Sequence, residues 1–298
     1  MAYGTPGSEQ DMEQYLTDIR RGRKPTQESV ARLTERYRKI GGRSPLLEIT
    51  NAQASTLERS LRTQGLEART YVGMKHWHPY IREVIPQIVN DGFHRIIALV
   101  LAPHYSQISI GGYKQALEQS LGSAKVNVAL IESWYDNAVF HRAVAERIEE
   151  GLEHFPEPTK VEVLFTAHSL PERILEQNDP YPGQLLESCK AVAQRTKLGH
   201  WSFAYQSAGE TGEKWLGPDI LEALQRISLH SDSNVLVAPI GFVADHLEIL
   251  YDIDVEAQQF AKTHGLNLRR VESLNASPTF ISALADIISK RASLNHWA

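Results

Sequence analysis

Several absences narrow this sequence before any motif is considered. One cysteine, Cys189, excludes an internal disulfide and any cluster held by several thiolates. Positive charge is not in excess: 31 Lys and Arg stand against 36 Asp and Glu, a net charge of −5. A nucleic-acid binder usually carries a basic face, so that class is not expected. No apolar run approaches the roughly 18 residues that cross a bilayer. The polar start, residues 1–10, lacks the cationic and apolar regions of a signal peptide, so a cytoplasmic chain without a transmembrane segment is expected. There is no GxGxxG, no P-loop and no serine nucleophile elbow, and dinucleotide or nucleoside triphosphate chemistry has no support.

What is present is an alternation of two patterns. Short apolar runs at 69–72, 95–101, 127–131, 161–166, 202–205 and 234–239 are mostly continuous, as parallel strands covered on both faces should be. Between them lie helical periodicities at 9–20, 27–39, 51–64, 79–90, 112–121, 137–151, 183–196, 218–227, 244–263 and 278–289. The expected class is α/β with mostly parallel sheets flanked by helices, in two similar halves. Pro156-Glu157-Pro158 suggests a new unit near there, giving halves of 1–135 and 136–276, with a C-terminal helix over 277–298 packing on the first. Ser8 and Asp11 stand at capping-box spacing, and such a loop should follow a strand. Only Met1-Ala2-Tyr3 precedes it, so the first strand is expected to be missing.

Two segments carry candidate chemistry. The run Val161–Thr166 leads through Ala167 into His168, and Pro171 then stops the ladder. Ligands in open α/β sheets gather beyond the carboxyl ends of strands, so His168 is either a base or metal ligand, or a histidine that only bonds its own turn. A second strand ends at Pro239-Ile240-Gly241, and on the helix after it Glu248, Asp252 and Glu256 recur every four residues. Stacked like charges repel by a few tenths of a kcal/mol per pair, roughly. They form either a solvated face or a ladder neutralised by Mg2+ or another hydrated divalent cation. A cluster at Arg20-Arg21-Gly22-Arg23-Lys24, with Arg36 and Arg43 beyond it, reads as a basic surface or as a carboxylate clamp. His76 and His78 are weak metal candidates, and Trp215 suits either the core or the wall of a flat ligand.

Taken together, certain stretches resemble the ferrochelatase family along essentially the whole chain. They are Tyr3-Gly4-Thr5-Pro6, Ile19-Arg20-Arg21-Gly22-Arg23, Gly41-Gly42-Arg43-Ser44-Pro45-Leu46, Pro103-His104-Tyr105-Ser106, Ala167-His168-Ser169-Leu170-Pro171, Trp215-Leu216-Gly217-Pro218-Asp219 and Asp245-His246-Leu247-Glu248. The resemblance implies two Rossmann-like domains with a porphyrin cleft between them, and insertion of ferrous iron into the macrocycle. It assigns His168 and Glu248 as catalytic histidine and acidic partner. Asp252 and Glu256 continue a metal-leading carboxylate line, and Tyr3, Arg20, Arg36, Tyr37, Ser44, Tyr113 and Trp215 surround the porphyrin.

Two features resemble the coproporphyrin III branch: Tyr3, which in that branch faces the inserted metal, and an arginine-rich rim suited to four propionates. No iron–sulfur cluster and no permanently bound cofactor are implied; iron is a substrate. A monomer is expected, and the resemblance leaves room for transient contact with neighbouring haem-pathway enzymes. The alternatives are a protoporphyrin IX enzyme, a chelatase for another tetrapyrrole and a non-catalytic porphyrin carrier.

Overall fold

The computed structural model describes residues 1–122, 124–209, 212–230 and 234–297. The helices are α1 (Met12–Ile19), α2 (Gln27–Lys39), α3 (Leu46–Thr63), α4 (Ile81–Asn90), α5 (Ile110–Leu121), α6 (Ala138–Leu152), α7 (Tyr181–Thr196), α8 (Ile220–His230), α9 (Leu247–Tyr251), α10 (Gln258–Thr263) and α11 (Pro278–Leu294). The strands are β1 (Arg95–Leu99), β2 (Asn127–Ile131), β3 (Glu162–His168), β4 (Trp201–Gln206), β5 (Asn234–Ala238) and β6 (Asn267–Arg270). The chain divides into two compact units: residues 1–134, 244–246 and 275–298 form one, and residues 135–243 and 247–274 the other.

The second unit is built on a four-stranded parallel sheet in the order β4-β3-β5-β6. Its central strand β3 buries Val163, Leu164, Phe165 and Ala167 completely, which only a strand covered on both faces does. Leu164, Val235 and Val237 pack against Ile249, Ile253 and Ala257, so the helical stretch after β5 covers this sheet. Gly151 lets α6 lie close on β5, because a Cβ there would come within 3.0 Å of the Leu236 methyls. The edge strand β6 has no counterpart among the expected runs. Its sequence Asn-Leu-Arg-Arg carries one apolar residue, enough for an edge but not for an apolar run.

In the first unit β1 and β2 pair in parallel, from Arg95 opposite Asn127 to Leu99 opposite Ile131. Val84, Ile85 and Ile88 of α4 meet Ile110 and Leu117 of α5 over Ala98 and Val100. The leading strand expected to be missing is represented by residues 1–3. Met1 N donates to the Leu99 carbonyl at 2.6 Å and Leu101 N to the Met1 carbonyl at 2.9 Å, while Ala2 bridges Met74 in parallel.

Other expectations fail for local reasons. Residues 69–72 form no strand, since no strand lies beside them to complete a ladder. The helix expected from residue 9 opens as a 3-10 turn, Glu9–Asp11, because Ser8 Oγ donates to Asp11 Oδ2 instead of accepting a backbone N–H. Helix α3 starts five residues ahead of the expected 51, directly after Pro45, whose fixed φ suits a helix entry. The helix expected over 244–263 breaks into α9, a π-helical segment Asp252–Ala257, and α10.

Candidate functional site

In the second unit His168 ends β3, and Glu248 lies in the first turn of α9, just past the turn that follows β5. Parallel neighbours β3 and β5 bring these two strand ends together. The turn presses tightly on β3: a Cβ on Gly241 would fall 2.6 Å from Ala167 Cβ, so only glycine fits, and its N–H donates to the Thr166 carbonyl at 3.2 Å. His168 Nε2 consequently stands 3.4 Å from Glu248 Oε1, with both side chains about one-third exposed, 33% and 30%. The other ring nitrogen, Nδ1, bonds the Ser169 carbonyl. A carbonyl only accepts, so Nδ1 carries a hydrogen, and Nε2 is the nitrogen that gains and loses the titrating proton.

Burial by itself would lower the His168 pKa. The Glu248 carboxylate, by charge and hydrogen bond, the Ser169 carbonyl and the Asp252 charge outweigh it and hold the imidazole up at about 9. Aromatic rings flank the imidazole: the centroids of Trp215 and Phe242 are each 6.4 Å away. Trp215 is fixed by an antiparallel bridge to Pro171, and Ser169 Oγ donates to the Leu216 carbonyl at 2.8 Å. Tyr181 Oη donates to the His168 carbonyl at 2.9 Å, tying the strand end to α7.

Beyond Glu248 the acidic residues Asp252 and Glu256 fall in the π-helical segment. There hydrogen bonds close from i to i+5, which keeps Asp252 and Glu256, about one turn apart, near one face. Asp252 is buried and accepts a hydrogen bond from Ser207 Oγ, whereas Glu256 is exposed. Among the described residues no three His, Cys, Asp or Glu side chains converge into a group that could hold a metal ion. One residue the sequence gave no reason to single out is Gln206. Fully buried at the end of β4, it donates from Nε2 to the Glu248 carbonyl at 3.1 Å and anchors the start of α9.

In the first unit, Tyr3, Tyr113 and the 75–76 pair form a second group. Lys75 Nζ lies 5.9 Å from the Tyr3 ring centroid and 5.1 Å from that of Tyr113, a cation held over aromatic faces. Burial lowers the Lys75 pKa to about 8, and Arg21 adds to the effect while Asp18 opposes it. His76 packs its ring 4.6 Å from Tyr3, and its Nδ1 bonds Asp18 Oδ2 at 2.8 Å. Neither Lys75 nor the Asp18–His76 pair could be foreseen, because their partners come from distant parts of the chain.

The remaining candidates are anchored in several ways. Arg20 caps α1 and donates from Nη2 to Ser29 Oγ at 3.2 Å. Arg36 and Tyr37 lie in the last turn of α2, and buried Tyr37 exchanges a hydrogen bond with Thr5 Oγ1 at 2.7 Å. Ser44 accepts from Leu46 N at 3.3 Å ahead of α3.

The Ferrochelatase family profile matches residues 1–292. This chain belongs to the ferrochelatase family. It is 45% identical to a ferrochelatase of Herpetosiphon aurantiacus over 97% of this chain and 96% of that protein. It is 40% identical to a coproporphyrin III ferrochelatase of Halalkalibacterium halodurans over 98% and 95% of the respective chains. Similar folds occur in SirB from Bacillus subtilis with Fe3+, at a TM-score of 0.59 and 13% identity over 82% of this chain and 90% of that one. CbiX, the terminal enzyme of sirohaem biosynthesis in denitrifying bacteria, gives 0.55 and 10% over 97% and 96%. At such identities these likenesses concern the fold alone. No helix among the described residues is long and apolar enough to cross a membrane.

Proposed function

We propose that this ferrochelatase-family chain inserts ferrous iron into coproporphyrin III, with His168 as the proton acceptor and Glu248 as its relay. The observation that carries the reading is the fixed tautomer of His168. Its Nδ1 is committed to the Ser169 carbonyl, leaving Nε2 to titrate against Glu248. Metal insertion must remove two pyrrole protons for each iron that enters, and a base with its lone pair on one defined nitrogen answers that need.

Near neutral pH the pair rests with the proton on His168, because the imidazole is held up at about 9. Glu248, partly open to solvent, passes that proton outward and frees Nε2 for a pyrrole proton; a second exchange completes the balance. Trp215 and Phe242 beside the imidazole offer flat apolar surfaces suited to a tetrapyrrole. The coproporphyrin assignment is supported by relatives of that name at about 40% identity and by Arg20, Arg21, Arg23 and Arg36 in the first unit, a charge density suited to four propionates. Tyr3, Tyr37, Ser44 and Tyr113 are proposed to contact the macrocycle on that unit. Asp252, buried, and Glu256, exposed, are proposed to continue the carboxylate line from Glu248 towards solvent.

The test is direct. Ferrous iron is mixed anaerobically with coproporphyrin III or protoporphyrin IX, and the absorbance of the metallated product is followed. Faster turnover of coproporphyrin III supports the reading, and preference for protoporphyrin IX overturns its finer part. In His168→Ala insertion should fall by about 100-fold or more, the usual weight of a general base, while porphyrin binding persists. Undiminished turnover at saturating iron would remove His168 from the reaction.

A further inference from the structure

Helix α1 packs at once on residues 3–5 and on the 74–77 segment. Tyr15 Oη donates to the Gly4 carbonyl at 3.0 Å, and its ring meets that of Trp77 edge-on at 6.0 Å. Asp18 stands three residues further on, on the same face of the helix. The 74–76 segment is itself laced to residues 2–3: Lys75 N donates to the Ala2 carbonyl at 2.9 Å and His76 N to the Tyr3 carbonyl at 2.8 Å. Three stretches of chain thus hold Asp18, His76 and Tyr3 together. Asp18 Oδ2 lies 2.8 Å from His76 Nδ1, and the Tyr3 ring centroid lies 4.6 Å from that of the imidazole.

These are the parts of an oriented base. A carboxylate only accepts, so Nδ1 carries a hydrogen and the lone pair stays on Nε2. Nε2 bonds no other group among the described residues. The His76 side chain is 14% exposed and that of Asp18 27%, so solvent reaches a pair that is otherwise packed. Beside it the Tyr3 ring is exposed. Burial lowers the His76 pKa below its ordinary 6.5; the Asp18 hydrogen bond and charge oppose this, and the charges of Lys75 and Arg21 add to it. Lys75, held down at about 8, keeps its charge across the range in which His76 titrates. At neutral pH His76 is therefore an unprotonated base, whereas His168, held up at about 9, rests with its proton on. His168 has to shed a proton through Glu248 before each acceptance. His76 does not.

We propose that His76, oriented by Asp18, is a second catalytic base, taking one of the two pyrrole protons at Nε2 from the side of the macrocycle that meets Tyr3. The pyrrole N–H bond breaks, its electron pair stays on the nitrogen and binds the iron, and the proton forms Nε2–H. The Asp18 carboxylate balances the imidazolium, as the aspartate of a hydrolase triad does, and the proton then leaves to solvent. His168 takes the other proton, with one exchange through Glu248 in place of two. The assignment rests on the proposed iron insertion and adds a residue to it.

The test is the pH profile of kcat/KM for coproporphyrin III in the unsubstituted chain, His76→Gln, Asp18→Asn and Lys75→Met. The unsubstituted chain should show two breaks, one below 6.5 from His76 and one at about 9 from His168, with activity falling as pH drops through each. His76→Gln should lose the lower break and about 100-fold in kcat at pH 7, with KM unchanged. Asp18→Asn should move the lower break down and Lys75→Met should move it up, and an NMR titration of the His76 ring should follow both shifts without any turnover. A His76→Gln protein that keeps both breaks would overturn the proposal and leave His76 as a support for Tyr3. Insertion that His168→Ala abolishes and His76→Gln spares overturns this proposal alone. An unsubstituted chain that metallates neither coproporphyrin III nor protoporphyrin IX overturns the proposed activity along with it.

Discussion

Replacing Glu248 with glutamine removes one negative charge 3.4 Å from His168 Nε2 and leaves the volume unchanged. His168 stands at about 9 in place of the ordinary 6.5, a difference worth about 3.4 kcal/mol at ~1.36 kcal/mol per pH unit. Both side chains are about a third exposed, so screening by solvent reduces the contribution of the pair to about 2 kcal/mol. Burial opposes the charged imidazole and persists in the variant, so nothing replaces what the carboxylate supplied. An NMR titration of the His168 ring should therefore show its pKa falling by about 1.5 or more in Glu248→Gln. A ring still titrating above about 8.5 would show that Glu248 is not what holds the proton, and the relay would fail with it.

The same pair sets a pH dependence of stability. A cationic group whose folded pKa is raised stabilises fully below its unfolded value of 6.5, and the contribution is lost as pH rises through about 9. The Tm difference between the unsubstituted chain and Glu248→Gln should be widest near pH 6 and close by about pH 10, in melts across that range. Gly241→Ala places a Cβ 2.6 Å from Ala167 Cβ and should cost about 1–3 kcal/mol by urea denaturation. Phe165→Ala empties a fully buried site in the central strand and should cost about 3–5 kcal/mol in the same assay. Ser207→Ala removes a hydroxyl bonded to buried Asp252 and should cost about 1 kcal/mol in the same assay.

The sequence by itself determined the fold class and the address of the histidine. Continuous apolar runs at β3 and β5 can be satisfied only by a strand buried on both faces, and Pro171 marks where β3 must stop. His168 at a strand end and Glu248 after the next strand's turn were legible because both depend on local chain order. Tertiary structure decided the rest. The polar edge strand β6 exists only because β5 offers it a free edge, and residues 69–72, apolar enough for a strand, are not one because no strand lies beside them. The stretch carrying Asp252 and Glu256 reads as an α-helix by periodicity and is π-helical in the fold, with Asp252 buried beside Ser207 and Glu256 exposed. The protonation of His168, the burial of Lys75 and the pairing of His76 with Asp18 likewise arise from groups remote in the chain. Periodicity reports how a segment meets the core; it carries no information about which distant charge will be its neighbour.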